Sequence, residues 1–149
     1  MGRWLGVDHG TQRIGLAAGG TDDGIASPLE VIQAQPHQAA IEKIRRVAAE
    51  YAVDGIVVGY PLNMDDTEGP QGYLARKLAT ELVEATRLDV RLWDERLSSF
   101  AADQALKGML TRKKKKARQD AVAAASFLAD FLQHEGPQKA LRPGEIKGM

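Results

Sequence analysis

The chain has no cysteine among its 149 residues. That excludes a disulfide framework, a thiolate metal site and a dithiol redox motif. No apolar run approaches the roughly 20 residues that cross a bilayer, so no transmembrane helix is expected. Nothing near the N-terminus has the pattern of a signal peptide: residues 3–8 already read as a strand, and a charge follows. A soluble, cytoplasmic protein with no membrane partner is the expectation. The sequence also lacks an internal repeat, a low-complexity tract and a second domain, and it carries no net charge, 20 Lys and Arg balancing 20 Asp and Glu.

Apolar residues make up 44% of the chain, a globular composition. A chain of this length can bury roughly 68–70% of the surface it exposes when unfolded. One domain over residues 1–134 is expected. Residues 135–149 have glycine and proline but no periodicity, and read as a mobile tail. Charge is unevenly spread. Arg112, Lys113, Lys114, Lys115, Lys116 and Arg118 put six positive charges into seven residues, so the rest of the chain is net −6. A dense basic segment on a weakly acidic body points to a localised anionic partner.

Three short apolar runs come first: residues 3–8, 14–18 and 25–32. Short glycine-bearing links between them predict antiparallel hairpins. Ile41, Ile44, Val47, Ala48 and Tyr51 recur at helical spacing over 37–51. Residues 54–59 (DGIVVG) form a continuous β-branched run, as at the centre of a parallel sheet. A loop over 60–72 leads to a helix ending near residue 87, and 89–95 (DVRLWDE) is a fifth strand. Ser98 or Ser99 is expected to cap a helix to Lys107, stopped by Gly108. The basic segment then reads as a loop before a last helix over 120–133, with an apolar stripe of Ala121, Ala124, Ala125, Leu128 and Leu132. The class is α/β: a five-stranded mixed sheet, its first three strands antiparallel, flanked by helices.

Three carboxylates stand at the seams of these elements. Asp8 ends the first strand, Asp94 or Glu95 ends the fifth, and Asp120 opens the last helix. Each has an ordinary structural role available: a turn former before glycine, a solvated strand end with a weak ion pair, and a helix-capping acid favoured by the macrodipole. Gathered at one sheet edge, however, such groups repel unless cations hold them. Oxygen-only ligands suit Mg²⁺ or Mn²⁺, one ion or two. The basic segment lies between predicted helices and immediately precedes Asp120, which favours nucleic-acid backbone as its partner over a merely solubilising role. His9, next to Asp8, reads as a supporting or structural residue.

Four segments, LGVDHGTQRIGLA, VVGYPLNMDDTEGPQG, DERLSS and KKKKARQDAVAAASFL, together resemble the blocks of the YqgF/RuvX-type pre-16S rRNA nuclease family, also described as Holliday junction resolvases. The resemblance runs over residues 3–133 and implies a ribonuclease H-like fold related to the RuvC resolvase. It implies that Asp8, Glu95 and Asp120 are the metal-binding catalytic acids, deciding for Glu95 over Asp94. Arg13 and Arg96 match family arginines and would contact substrate phosphates. Two positions depart from the family pattern: Asp66 where the second block usually has glycine, and Ser98-Ser99 where the third often has threonine. The implied activity is metal-dependent hydrolysis of structured nucleic acid, with 5′-end processing of precursor 16S rRNA first and junction cleavage in DNA second.

Two other classes compete. An Asp-x-Gly-Thr strand end also opens actin-like ATPases and sugar kinases, but those resemble two such domains facing each other, and this chain holds one. A non-catalytic RNA-binding or ribosome-assembly factor would have no need of the acid triplet. A monomer or a homodimer is compatible with the sequence.

Overall fold

The computed structural model describes residues 2–10, 12–61, 65, 67–94, 112–134 and 136–145, with the main chain alone at 112–120, 139 and 145. Five strands, β1 (Arg3–His9), β2 (Arg13–Gly20), β3 (Ala26–Gln33), β4 (Gly55–Tyr60) and β5 (Asp89–Asp94), form one sheet in the order β3-β2-β1-β4-β5. The first three are antiparallel neighbours, as their short turns predict. β4 runs parallel to both β1 and β5 and is buried along its whole length, which is why its sequence is an unbroken apolar run.

Strand alternation sorts the core into two layers. Leu5, Val7, Ile14, Leu16, Ile56, Val58 and Leu92 face one side, where α1 (His37–Glu50) and α2 (Pro70–Thr86) pack with Ile44, Val47, Leu78 and Leu82. Trp4, Ala17, Val57 and Trp93 face the other side and meet α3 (Arg112–Gln133). Phe131 of α3 lies edge-on to Trp4 at 4.8 Å and to Trp93 at 5.6 Å between ring centroids. Such edge-to-face pairs add to the area they bury. The buried stripe of α3 is thus wider than expected: Phe127 and Phe131 join Ala121, Ala124, Leu128 and Leu132, while Ala125 is half-buried.

Two expectations are corrected. The basic segment is not a loop. The last helix begins at Arg112, eight residues before Asp120, because lysine and arginine are good helix formers and no glycine or proline interrupts the run. Residues 136–145, expected as a mobile tail, lie against the sheet. A short helical turn, α4 (Gly136–Lys139), follows α3, and Leu141 bridges antiparallel to Leu92 on the free edge of β5. Buried Arg91 donates to the Ala140 carbonyl at 2.7 Å and to Asp89, and Arg142 also reaches Asp89. The edge carbonyls and amides, not hydrophobic periodicity, hold this segment. The predicted helix over 98–107 lies outside the described residues. No helix among the described residues is long and apolar enough to cross a membrane.

Gly6 sets the distance between α3 and the sheet. A Cβ there would sit 3.1 Å from the Leu128 Cβ and 3.2 Å from the Ala124 carbonyl oxygen. Gly6→Val is therefore expected to destabilise by about 1–3 kcal/mol. Its Tm should fall by roughly 2–4 °C for each kcal/mol; an unchanged melting curve would show that α3 does not seat on this glycine.

Candidate nuclease site at the carboxyl edge of the sheet

β1, β4 and β5 run the same way and all end at one edge of the sheet. Asp8 stands there, half-buried, at the penultimate position of β1. It shares a face with Trp4 and Gly6, so its side chain belongs to the α3 side. Directly across on β2 is Gly15, which adds no side chain beside the carboxylate. Arg13, two residues before Gly15, lies on the same face at the same edge.

α3 reaches this edge from above. Leu132 lies over Gly19, the partner of Trp4, whereas Ala124 and Leu128 lie over Gly6. The helix therefore runs antiparallel to β1. Four residues back from Ala124 is a rise of roughly 6 Å, and two residues on from Gly6 is roughly 6.6 Å. The main chain at Asp120 thus comes level with Asp8, on the stripe that continues through Ala124 and Leu128. Asp120 is the ninth residue of α3, not its first. The first turn, where the helix macrodipole acts and where Asp120 is expected, is instead formed by the main chain from Arg112. The main chain of Arg112, Lys113, Lys114, Lys115, Lys116 and Arg118 forms the opening turns of α3, beyond Asp120 in the direction of the site edge.

Glu95 and Arg96 lie outside the described residues. β5 nevertheless bears on the choice between the two acids. Trp93 faces α3, whereas Asp94 alternates with it and shares the side of Leu92 and Tyr60. Asp94 therefore belongs to the face opposite Asp8. His9, too, alternates away from Asp8 and faces α1 and α2. Among the described residues no group of three His, Asp or Glu side chains is placed to hold a metal. The donor chemistry at the edge still fits a hard divalent ion: carboxylate oxygen at Asp8, a second aspartate one helical turn before Ala124, and no cysteine thiolate in the chain.

A buried clamp missed by the sequence reading stands beside this edge. Tyr60, the last residue of β4, donates to the Glu68 carboxylate at 2.6 Å, and Arg76 of α2 grips the same carboxylate through Nε at 2.8 Å and Nη2 at 3.0 Å. The Glu68 side chain is only 4% exposed. Glu68 is therefore tied both to the end of β4 and to α2. Its spacing carried no signal, since the three partners are eight residues apart with no periodic relation. The Arg76 hydrogen bonds hold the Glu68 carboxyl below the ordinary range, and burial with the Glu68 bond pushes the Tyr60 hydroxyl up to about 12.

Comparison with solved structures places the fold in the ribonuclease H-like, RuvC-type class. The RuvC resolvase of T. thermophilus, solved with its Holliday junction substrate, aligns with a TM-score of 0.59 and 17% identity over 93% of this chain and 99% of that one. The chain matches the model of the RuvX family, described as Holliday junction resolvase, over residues 2–134, and it belongs to that family. Relatives named "Putative pre-16S rRNA nuclease" include one from Rhodobacter capsulatus, 39% identical over 140 residues, covering 91% of this chain and 88% of that protein. Another, from Chloroflexus aurantiacus, is 42% identical over 129 residues, covering 86% and 84%.

The clamp makes a prediction with a definite sign. A carboxyl whose folded pKa is depressed contributes stability that is present above its unfolded pKa and lost as pH falls through the folded value. Glu68→Gln is expected to cost about 1–3 kcal/mol at pH 7. The gap between variant and parent in denaturant titrations should narrow as pH drops below about 4.5. A gap independent of pH would rule out the charged clamp.

Proposed function

We propose that the chain is a divalent-metal-dependent endonuclease that hydrolyses phosphodiester bonds in structured nucleic acid, with the 5′ end of precursor 16S rRNA as its substrate in the cytoplasm. The observation that carries this reading is the convergence of Asp8 and the Asp120 turn of α3 on the carboxyl edge, where β5 also ends. Asp8, Asp120 and Glu95 would hold one or two Mg²⁺ or Mn²⁺ ions through carboxylate oxygens. When bound, such ions activate the attacking water and steady the leaving oxygen.

The chain's own residues do the rest. The carboxylates fix the cation relative to the sheet, so no separate general base is required. Arg13, on the Asp8 face, is positioned to bind a substrate phosphate, and Arg96 is assigned the same role by its family match. The basic turns of α3 supply sequence-independent backbone contacts that orient the substrate. Affinity should accordingly fall steeply with salt. Cleavage of junction DNA is the second reading, supported by the family's description as a resolvase.

The test sets precursor rRNA beside four-way junction DNA, each with Mn²⁺ and with EDTA. rRNA cleavage that EDTA abolishes is expected, and Asp8→Asn should lower it by about 100-fold or more, several kcal/mol of transition-state stabilisation. Undiminished cleavage by Asp8→Asn would remove Asp8 from the site. Preferential cutting of the junction would transfer the substrate to DNA.

A further inference from the structure

On the sheet face opposite Asp8, a cleft of about 300 Å³ opens between the start of α1 and one side of α2. It is lined by His9 of β1, by Gln35 and His37 around the start of α1, and by Leu74, Lys77 and Glu81 of α2. The three α2 residues recur at i, i+3 and i+7, so they share one helical face. His37 Nε2 and Glu81 Oε1 meet at 2.8 Å across the cleft mouth, each side chain remaining about one-third exposed. His9 Nδ1 is buried and finds no hydrogen-bond partner among the described residues. Leaving such an atom unmatched costs free energy comparable to a lost hydrogen bond. The cleft therefore presents an unused polar contact at its base.

Its chemistry narrows what can enter. The Glu81 carboxylate in the wall disfavours a phosphate, and no three-ligand group for a metal exists there among the described residues. The His9 ring brings two nitrogens to the cleft, each able to donate or accept a hydrogen bond according to tautomer. A flat imidazole, an apolar Leu74 wall, an amide and a carboxylate are the groups that stack on and hydrogen-bond an unpaired nucleobase. A lysine at the rim suits the strand that carries it. Position matters as well. Asp8 and His9 are consecutive residues with Cα atoms about 3.8 Å apart, turned to opposite faces of one strand end. A strand laid over that end presents a phosphate to the Asp8 side and can swing the adjoining base to the His9 side.

We propose that this cleft receives one unpaired nucleobase of the bound strand, next to the phosphate held at the Asp8 edge. The proposal rests on the nuclease reading above and adds to it a preference for substrates with an unpaired nucleotide at the cleavage position. The bland alternative is that His37 and Glu81 only pin α1 to α2.

The experiment is a binding titration of the full chain, in EDTA, against a short single-stranded RNA in which each base in turn is replaced by an abasic sugar. One abasic position is expected to weaken wild-type binding roughly 5- to 100-fold, with little change elsewhere. His37→Ala, and independently the near-isosteric Glu81→Gln, should show a comparable loss on the intact strand and no further loss at that position, with their melting temperatures measured in parallel. A flat abasic profile overturns the proposal, as does a profile that both variants leave unchanged. A flat profile with His9 and His37 ring signals shifting on addition of a free nucleoside monophosphate overturns it in favour of a free-nucleotide site. Absence of any RNA binding by the wild-type chain overturns this proposal and removes RNA as the substrate of the nuclease reading, which the cleavage assay on junction DNA tests separately.

Discussion

The close seating of α3 on β1 at Gly6 is the contact on which the candidate site depends. A helix carrying an aspartate can meet a strand carrying another only if nothing larger than hydrogen separates them at the crossing. Gly6 provides that gap, with the Leu128 Cβ and the Ala124 carbonyl about 3 Å from where a side chain would begin. The Trp4–Phe131–Trp93 seam then fixes the far half of the helix. Rigid packing below and a defined rise per residue above determine where Asp120 arrives.

Polar ties supplement the packing at two separate places, one at the carboxyl end of β4 and one near the amino end of β5. Tyr60 and Arg76 both bond the Glu68 carboxylate, which ties the end of β4 to α2. Arg91, Asp89 and Arg142 bind residues 140–142 along β5 and cover part of an otherwise open sheet edge. Unpaired edge strands invite pairing with other chains, and this cover takes up part of the β5 edge. Of the two, only the Tyr60–Glu68–Arg76 tie stands at the edge that carries Asp8.

Much of this was legible in the residues. The glycine-linked apolar runs specified the antiparallel hairpins, and the uninterrupted run ending at Tyr60 specified a central parallel strand. Asp8 could be read as a strand-end carboxylate, although its turn-forming role was equally open. What spacing could not supply was parity relative to distant elements. Only the sheet shows that Asp94 shares the side of Leu92, that His9 turns from Asp8, and that Arg13 shares the Asp8 face. The start of α3 was missed because a lysine run has no apolar period to betray a helix. Phe127 and Phe131 fell outside the narrow stripe because burial on α3 is set by two tryptophans remote in sequence. Residues 136–145 looked free because backbone bonds to a strand edge leave no pattern in side chains.

In the proposed function, positions 8, 95 and 120 share a cation. Crystals of the full chain grown with Mn²⁺ and measured at the manganese edge address it directly. The account predicts one or two anomalous peaks within coordination distance of the Asp8 and Asp120 carboxylates, lost in Asp8→Asn. Manganese bound elsewhere, with those carboxylates pointing away from each other, would contradict it.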